Sequence, residues 1–432
     1  MNFLTRRHII MASEKKWNKL DNAGKIFPPS SNKTDTKVFR YSCELIENIV
    51  PKVLQHAAEV TAEAFSIYKS VLERGFFWYY LERSDIKPVV KEEYKSICAP
   101  IYRKNRINLL FEVTYYKKRI NLEVFHALSD GTGALHFFQA LIINYLSELH
   151  NISIKPEWFE SSSDFQKSSD SFQKYYSKKK FPDARKDKFR RAYKVRGLKY
   201  SGYRLKLIRG VIPVNQTLNK AHEYNCSITI FLTACLIAAI GEEIPERKKK
   251  NPVIISVPVN LRNYFKSETA RNFFGTVNIE YNFSINSGDF NDIIKKVSEQ
   301  FSQNLTFEKL SAHINSLSKV EHNAFAKIAP LFFKDICLKT AHDISALEVT
   351  SSVSNVGIIK MPEIFQDYIR IFDICTSGNR PSVCMCSYKN NISISYTSPF
   401  INSDIQRNFF CHLSSMGIKV EISTNPLEFR EE

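Results

Sequence analysis

Phe125-His126-Ala127-Leu128-Ser129-Asp130-Gly131-Thr132-Gly133 is the stretch on which the reading of this chain turns. It ends a strand-like apolar run, Arg119 to His126. It opens into Ala134 to Leu149, where Phe137, Phe138, Leu141, Ile142 and Tyr145 recur at helical spacing. The pattern predicts strand, turn and helix in succession, with one imidazole at the strand end. Asp130 falls where a helix N-cap belongs. Histidine is the side chain best matched to moving a proton near neutral pH. A strand end holds such a group rigidly, as a general base requires.

Upstream, Leu109 to Tyr116 and Arg119 to His126 read as the arms of a hairpin across Lys117 and Lys118. Lys37 to Leu45 alternates like a strand, and Phe76 to Leu81 is an aromatic strand. Pro51 to Phe65 is a helix striped by Val53, Leu54, Ala57, Ala58, Val60 and Ala64. Downstream, Glu160 to Tyr200 is rich in Ser, Lys and Asp and reads as a linker or crossover. A second half then repeats the theme. Strands are expected at Tyr203 to Val214, Pro252 to Val259 and Thr276 to Ile285, then at Leu347 to Val353, Ile369 to Cys375, Ser382 to Tyr388 and Ile392 to Tyr396. Helices are expected at Val214 to Tyr224, Thr229 to Ile240, Asp289 to Leu310, Ser318 to Lys339 and Ser403 to Met416. Mixed elements in two related halves predict an α/β (α+β) fold of sandwiches. The division expected is 1–165, a basic linker at 166–200, and 201–432.

A chain of 432 residues is long enough for two cores. Its longest apolar run, Ile228 to Ile240, is about two-thirds of a membrane span. No transmembrane segment is expected, and the stretch after Arg6 and Arg7 is too short for a signal peptide. A cytoplasmic location is expected. Nine scattered cysteines without Cys-x-x-Cys spacing agree, and read as buried thiols. The net charge is +17, and Ser177 to Lys206 carries thirteen Lys or Arg against two Asp. Such a segment attracts polyanions, or is a solvated linker. There is no Gly-rich phosphate loop and no metal-binding spacing, so no metal is expected.

Three further segments share the character of the first. Ser256-Val257-Pro258-Val259-Asn260-Leu261-Arg262 ends a buried strand with an arginine. Asn272-Phe273-Phe274-Gly275-Thr276-Val277 enters a strand through a glycine, and Ser354-Asn355-Val356-Gly357 leaves one. In this order, with the His126 motif, they resemble the chloramphenicol-acetyltransferase-like superfamily, which includes alcohol acetyltransferases and the condensation domains of peptide synthetases. The likeness spans nearly the whole chain and is nearest to stand-alone bacterial alcohol acetyltransferase-like proteins. Two departures matter. Phe125 stands where condensation domains usually carry a first histidine, and no Asp-Phe-Gly-Trp-Gly run is present.

The resemblance implies two similar subdomains in a V-shaped pseudo-dimer, with the motif histidine in a tunnel between them. It implies His126, Asp130 and Gly131 as the catalytic set, with His126 the base that takes a proton from an acceptor hydroxyl or amine. It also implies that the aspartate turns away from the histidine into a salt bridge. Arg262 is the partner expected, because its planar fork suits a carboxylate. Thr276, Ser354, Asn355 and nearby backbone amides are candidates to meet the oxyanion. Gly131 is read as permitting a tight turn and close approach. Acyl-CoA, with acetyl-CoA foremost, is the co-substrate implied; an acyl-carrier protein is the alternative donor. A rival reading is an idle scaffold whose basic segment binds polyanions. No nucleic-acid signature supports it, and no stable nucleic-acid or membrane partner is expected.

Overall fold

In the computed structural model the described residues are 17–104, 106–153, 170–177, 190–202, 204–322 and 328–425. Residues 166–169 and 178–189 of the 166–200 linker, including Lys178 to Lys188 of its basic run, lie outside them. The hairpin around Lys117 and Lys118 stands within a five-stranded sheet. Its strands are β2 (Val38–Leu45), β5 (Lys91–Glu92), β6 (Phe111–Tyr116), β7 (Arg119–Phe125) and β12 (Ile369–Thr376), in the order β12-β2-β7-β6-β5. A small sheet, β1 (Trp17–Lys19), β4 (Tyr79–Arg83) and β3 (Ser70–Arg74), touches it through a bridge between Val71 and Leu109 and shares its core through Tyr79 and Leu81. The third sheet has seven strands: β10 (Phe274–Tyr281), β9 (Val253–Asn260), β11 (Ser351–Ile358), β13 (Ser382–Tyr388), β14 (Asn391–Ser398), β8 (Lys206–Pro213) and β15 (Glu421–Thr424), in that spatial order. The fold is mixed α/β.

Two large cores follow. The helices Pro51–Ala64 and Gly131–His150 cover the five-stranded sheet, and Leu54, Ala58, Phe137, Phe138 and Leu141 are fully buried there. The other core forms on the seven-stranded sheet under Ile228–Glu242, Phe290–Asn304 and Asp404–Ser415. Ile228–Glu242 is apolar all round and is buried accordingly. No single helix among the described residues is long and apolar enough to cross a membrane. β12 comes from the 201–432 part yet pairs antiparallel with β2, so the C-terminal portion supplies one edge of the first sheet. Cys384, Cys386 and Tyr388 of β13 join the first core.

Several local expectations shift. The aromatic strand begins at Tyr79, not Phe76, because the Gly75 amide donates to the Trp78 carbonyl in a turn. The helix expected over Asp289 to Leu310 ends at Asn304, and the next, Phe307–His322, starts after Thr306, whose hydroxyl accepts from the Lys309 amide. The helix expected over Ser318 to Lys339 is divided: Pro330, which has no amide proton, precedes a separate helix Leu331–Leu347. That helix occupies part of the strand expected at Leu347, and β11 begins only at Ser351. Lys194 Nζ donates to the carbonyls of Ala346 and Val349, capping the helix end. The Asn390-Asn391 pair suggests a tight turn between the last two strands; the turn lies one residue earlier, at Lys389-Asn390. Six cysteines are buried, whereas Cys337 and Cys411 are exposed; all nine are free thiols.

Candidate active site

The decisive stretch folds as strand, turn and helix for reasons visible residue by residue. β7 runs in register with β2 up to Val38 opposite Phe125, and the His126 amide still donates to the Lys37 carbonyl. Asp130 is extended and its Oδ1 accepts the Gly133 amide at 2.8 Å, which caps the helix Gly131–His150. A Cβ on Gly133 would lie 2.0 Å from the Ala270 carbonyl oxygen, so glycine is required there for close approach. The reason given for Gly131 does not hold. A Cβ at 131 would meet nothing nearer than Tyr41 Oη at 3.6 Å. Gly131 instead lines a cavity, and its carbonyl accepts from Tyr41 Oη at 2.8 Å.

That cavity, about 450 Å³, lies where the two cores meet. Residues from β2, β9, β10, β11, β12 and β13 line it, and so do His126, Asp130, Arg262, Thr276, Ser354 and Asn355. The His126 ring packs between Phe27 and Phe39, with centroids at 4.8 and 4.6 Å. Nδ1 is sealed from solvent without a hydrogen-bond partner, while the ring still lines the cavity. Burial drives its pKa down to about 4; the Asp130 charge and the Asn272 side chain oppose this more weakly. His126 is therefore neutral at pH 7. Phe125, by contrast, is fully buried and stacks on Tyr102 at 5.1 Å.

Asp130 and Arg262 form a two-pronged ion pair: Nη1 to Oδ2 at 2.8 Å and Nη2 to Oδ1 at 3.2 Å. Oδ2 also accepts the Phe273 amide at 2.8 Å. Arg262 donates further to the carbonyls of Thr269 and Arg271. The carboxylate thus ties the His126 loop to the segment entering β10, and its oxygens are engaged away from the imidazole. Among the oxyanion candidates, Asn355 is partly committed: Nδ2 donates to Thr229 Oγ1 and Oδ1 accepts the Gly357 amide. That contact accompanies a register shift in β11 and a positive φ of 89° at Gly357. The Ser354 hydroxyl makes no hydrogen bond among the described residues and lines the cavity.

Asn272 was not among the residues singled out individually, although its Asn-Phe-Phe-Gly segment was. Its Nδ2 donates to the His126 carbonyl at 3.0 Å and to Asp21 Oδ2 at 3.1 Å. It therefore fixes the backbone that carries the imidazole. The available signal was a polar residue immediately before an apolar strand start, which is common to most turns. Asn272→Ala leaves a buried carbonyl and carboxylate short of a donor. We expect it to destabilise the protein by about 2 kcal/mol in urea denaturation.

The depressed His126 pKa also predicts an acid-dependent stability. Below pH 6.5 the unfolded chain protonates this histidine and the folded protein does not, so stability falls as pH drops from 6.5 and levels near pH 4. The loss is on the order of 3 kcal/mol. Denaturation midpoints at pH 7.5 and 4.5 test it. His126→Ala should lose less stability on acidification than wild type, and equal losses would contradict this account.

A sequence profile of the alcohol acetyltransferase family matches residues 148–375, just over half of the chain; the match starts beyond the His126 motif. No curated protein matches the sequence. Several solved structures share the fold. The trichothecene 15-O-acetyltransferase TRI3 from Fusarium sporotrichioides is 10% identical, with TM-score 0.60, covering 93% of this chain and 94% of that one. F. sporotrichioides TRI101, complexed with coenzyme A and T-2, is also 10% identical, with TM-score 0.61 and coverage of 94% and 99%. The first condensation domain of the CDA synthetase is 14% identical, with TM-score 0.55 and coverage of 91% and 93%. At these identities the likeness establishes the two-subdomain fold alone, and it is the profile match that carries the assignment: the chain belongs to the alcohol acetyltransferase family.

Proposed function

We propose that this protein transfers an acyl group from acyl-CoA to an alcohol, with His126 as general base. One observation carries the reading: a neutral imidazole, wedged between two phenyl rings, lines the cavity between the cores. In the reaction His126 takes the acceptor's hydroxyl proton as the oxygen attacks the thioester carbonyl carbon. The carbonyl electrons move onto oxygen, and fixed donors meet the charge. Ser354 and Thr276 are the foremost donors, because neither hydroxyl makes a hydrogen bond among the described residues; the Asn355 amide is partly committed. Collapse re-forms the carbonyl and breaks the carbon–sulfur bond. The imidazolium then returns its proton to the thiolate, giving ester and free coenzyme A.

The choice of donor is supported by the similarly folded TRI101, which is complexed with coenzyme A. The buried Phe125, standing where condensation domains usually carry a first histidine, favours an alcohol acceptor over carrier-bound amide synthesis. The test is a donor-by-acceptor screen read as free thiol. Acetyl-CoA, longer acyl-CoAs and an acyl-carrier-protein thioester are crossed with alcohols and amines. We expect acceptor-dependent thiol release from an acyl-CoA with an alcohol. Release from the carrier thioester alone, or with amines alone, would replace this reading; none from any pair would end it.

A further inference from the structure

The charged residues that line the cavity do not balance. Asp130 is matched by Arg262, and Asp35 by Lys37, whose Nζ lies 2.6 Å from Oδ2. Lys37 Nζ also donates to His342 Nε2 at 2.9 Å, which suits a neutral imidazole, and burial lowers the His342 pKa. His126 is neutral as well. Among the described residues one cation of the lining is left over: Arg380, in the loop between β12 and β13.

No carboxylate pairs with Arg380 among the described residues. Its single hydrogen bond runs from Nη1 to the Val349 carbonyl at 3.3 Å. That carbonyl already accepts Lys194 Nζ at 2.7 Å, so it is weak compensation for a second cation. Burial makes the charged form of the guanidinium less favourable than usual, and the Asp35 carboxylate, already paired with Lys37, opposes this only in part. Lys194 has a structural explanation as a cap on a helix C-terminus; Arg380 has none of comparable strength. Ser377, in the same loop, also lines the cavity. Its oxygen accepts the Val38 amide, leaving its hydroxyl proton free to donate. A half-buried, unpaired guanidinium facing an otherwise charge-matched cavity is costly to the folded protein, and such costs concentrate where ligands bind.

We propose that Arg380, assisted by Ser377, docks an anionic group, a carboxylate or phosphate, on one of the two substrates. A guanidinium fork matches both oxyanions. The inference deepens the acyl-transfer reading by giving one substrate of that cavity a charge. It predicts an acyl donor whose phosphates reach this loop or an acceptor that carries an acid group.

Equilibrium binding to the full chain, measured by calorimetry without turnover, tests it. Two probe pairs are used: coenzyme A against pantetheine, and 3-hydroxybutyrate against 1,3-butanediol. In at least one pair, wild type should bind the anionic member about tenfold or more tightly, as one charge-assisted pair implies. Arg380→Gln should abolish that preference, and Arg380→Lys should keep part of it. Preference within the coenzyme A pair assigns the group to the donor, and preference within the hydroxybutyrate pair assigns it to the acceptor. Without ligand, Arg380→Gln should melt no lower than wild type. The proposal is overturned if wild type and Arg380→Gln discriminate equally in both pairs, whether strongly or not at all. Repeating the titrations in His126→Ala separates the two ideas: an idle His126 leaves these affinities unchanged, whereas a misassigned Arg380 leaves turnover dependent on His126.

Discussion

Thiol release by His126→Ala is expected to fall by on the order of a thousandfold in kcat, the middle of the range for loss of a positioned general base. The expectation follows from geometry and charge together. The ring cannot swing away, because Phe27 and Phe39 flank it and its own backbone is tied at both ends: the amide to Lys37 and the carbonyl to Asn272. With a pKa near 4 it is already deprotonated at neutral pH, so none of the enzyme is held in an inactive charge state. The same value makes a second, sharper prediction for wild type. The acid limb of kcat/KM should fall near pH 4, well below ordinary imidazole behaviour. Removing the ring opens a small void, yet it also removes a buried nitrogen that has no partner. The variant should therefore stay folded, and a melting curve run beside the rate measurement will show it. Undiminished release by a folded His126→Ala would sink the mechanism.

Breaking the Asp130–Arg262 pair should have the largest effect on stability. Either Asp130→Ala or Arg262→Ala is expected to cost about 3–5 kcal/mol, because each leaves a buried charge without its partner. Asp130→Ala further loses the helix cap, and the Phe273 amide loses its acceptor. The paired double replacement should cost less than the two single losses added together, as a double-mutant cycle will register. Activity should fall with the fold, since the pair joins the His126 loop to the segment Asn272 to Gly275. A triad would behave differently. If Asp130→Asn kept the wild-type melting temperature but lost catalysis as completely as His126→Ala, the carboxylate would be acting on the imidazole directly. Its oxygens, engaged with Arg262, Gly133 and Phe273, argue against that.

Much of the site could be read from the chain because its signals are local. The hairpin arms, the histidine at a strand end and the capping aspartate are all set by neighbours within a few residues. Arg262 could be named as a partner because the family resemblance implies a salt bridge for the aspartate and the planar fork of an arginine suits a carboxylate. Asn272 and Arg380 carried no comparable signal. An asparagine before a strand and an arginine in a Ser-Gly-Asn-Arg-Pro loop look like ordinary turn residues until the cavity is seen. The misplaced helix ends failed for a related reason. The alternation from Leu347 to Val353 favours a strand, but Lys194, over 150 residues away, caps the helix that ends there.

The chain's own periodicity and turn chemistry determined which segments became strands or helices, and which of them ended in an imidazole. Partnership between distant segments was decided only in three dimensions. β12 joins β2 across more than three hundred residues, and among the described residues Arg380 has no carboxylate paired with it in the cavity where the cores meet. The physical reason is reach: propensity and capping act over one or two turns of chain, whereas strand pairing, desolvation and charge balance depend on whatever folding brings alongside.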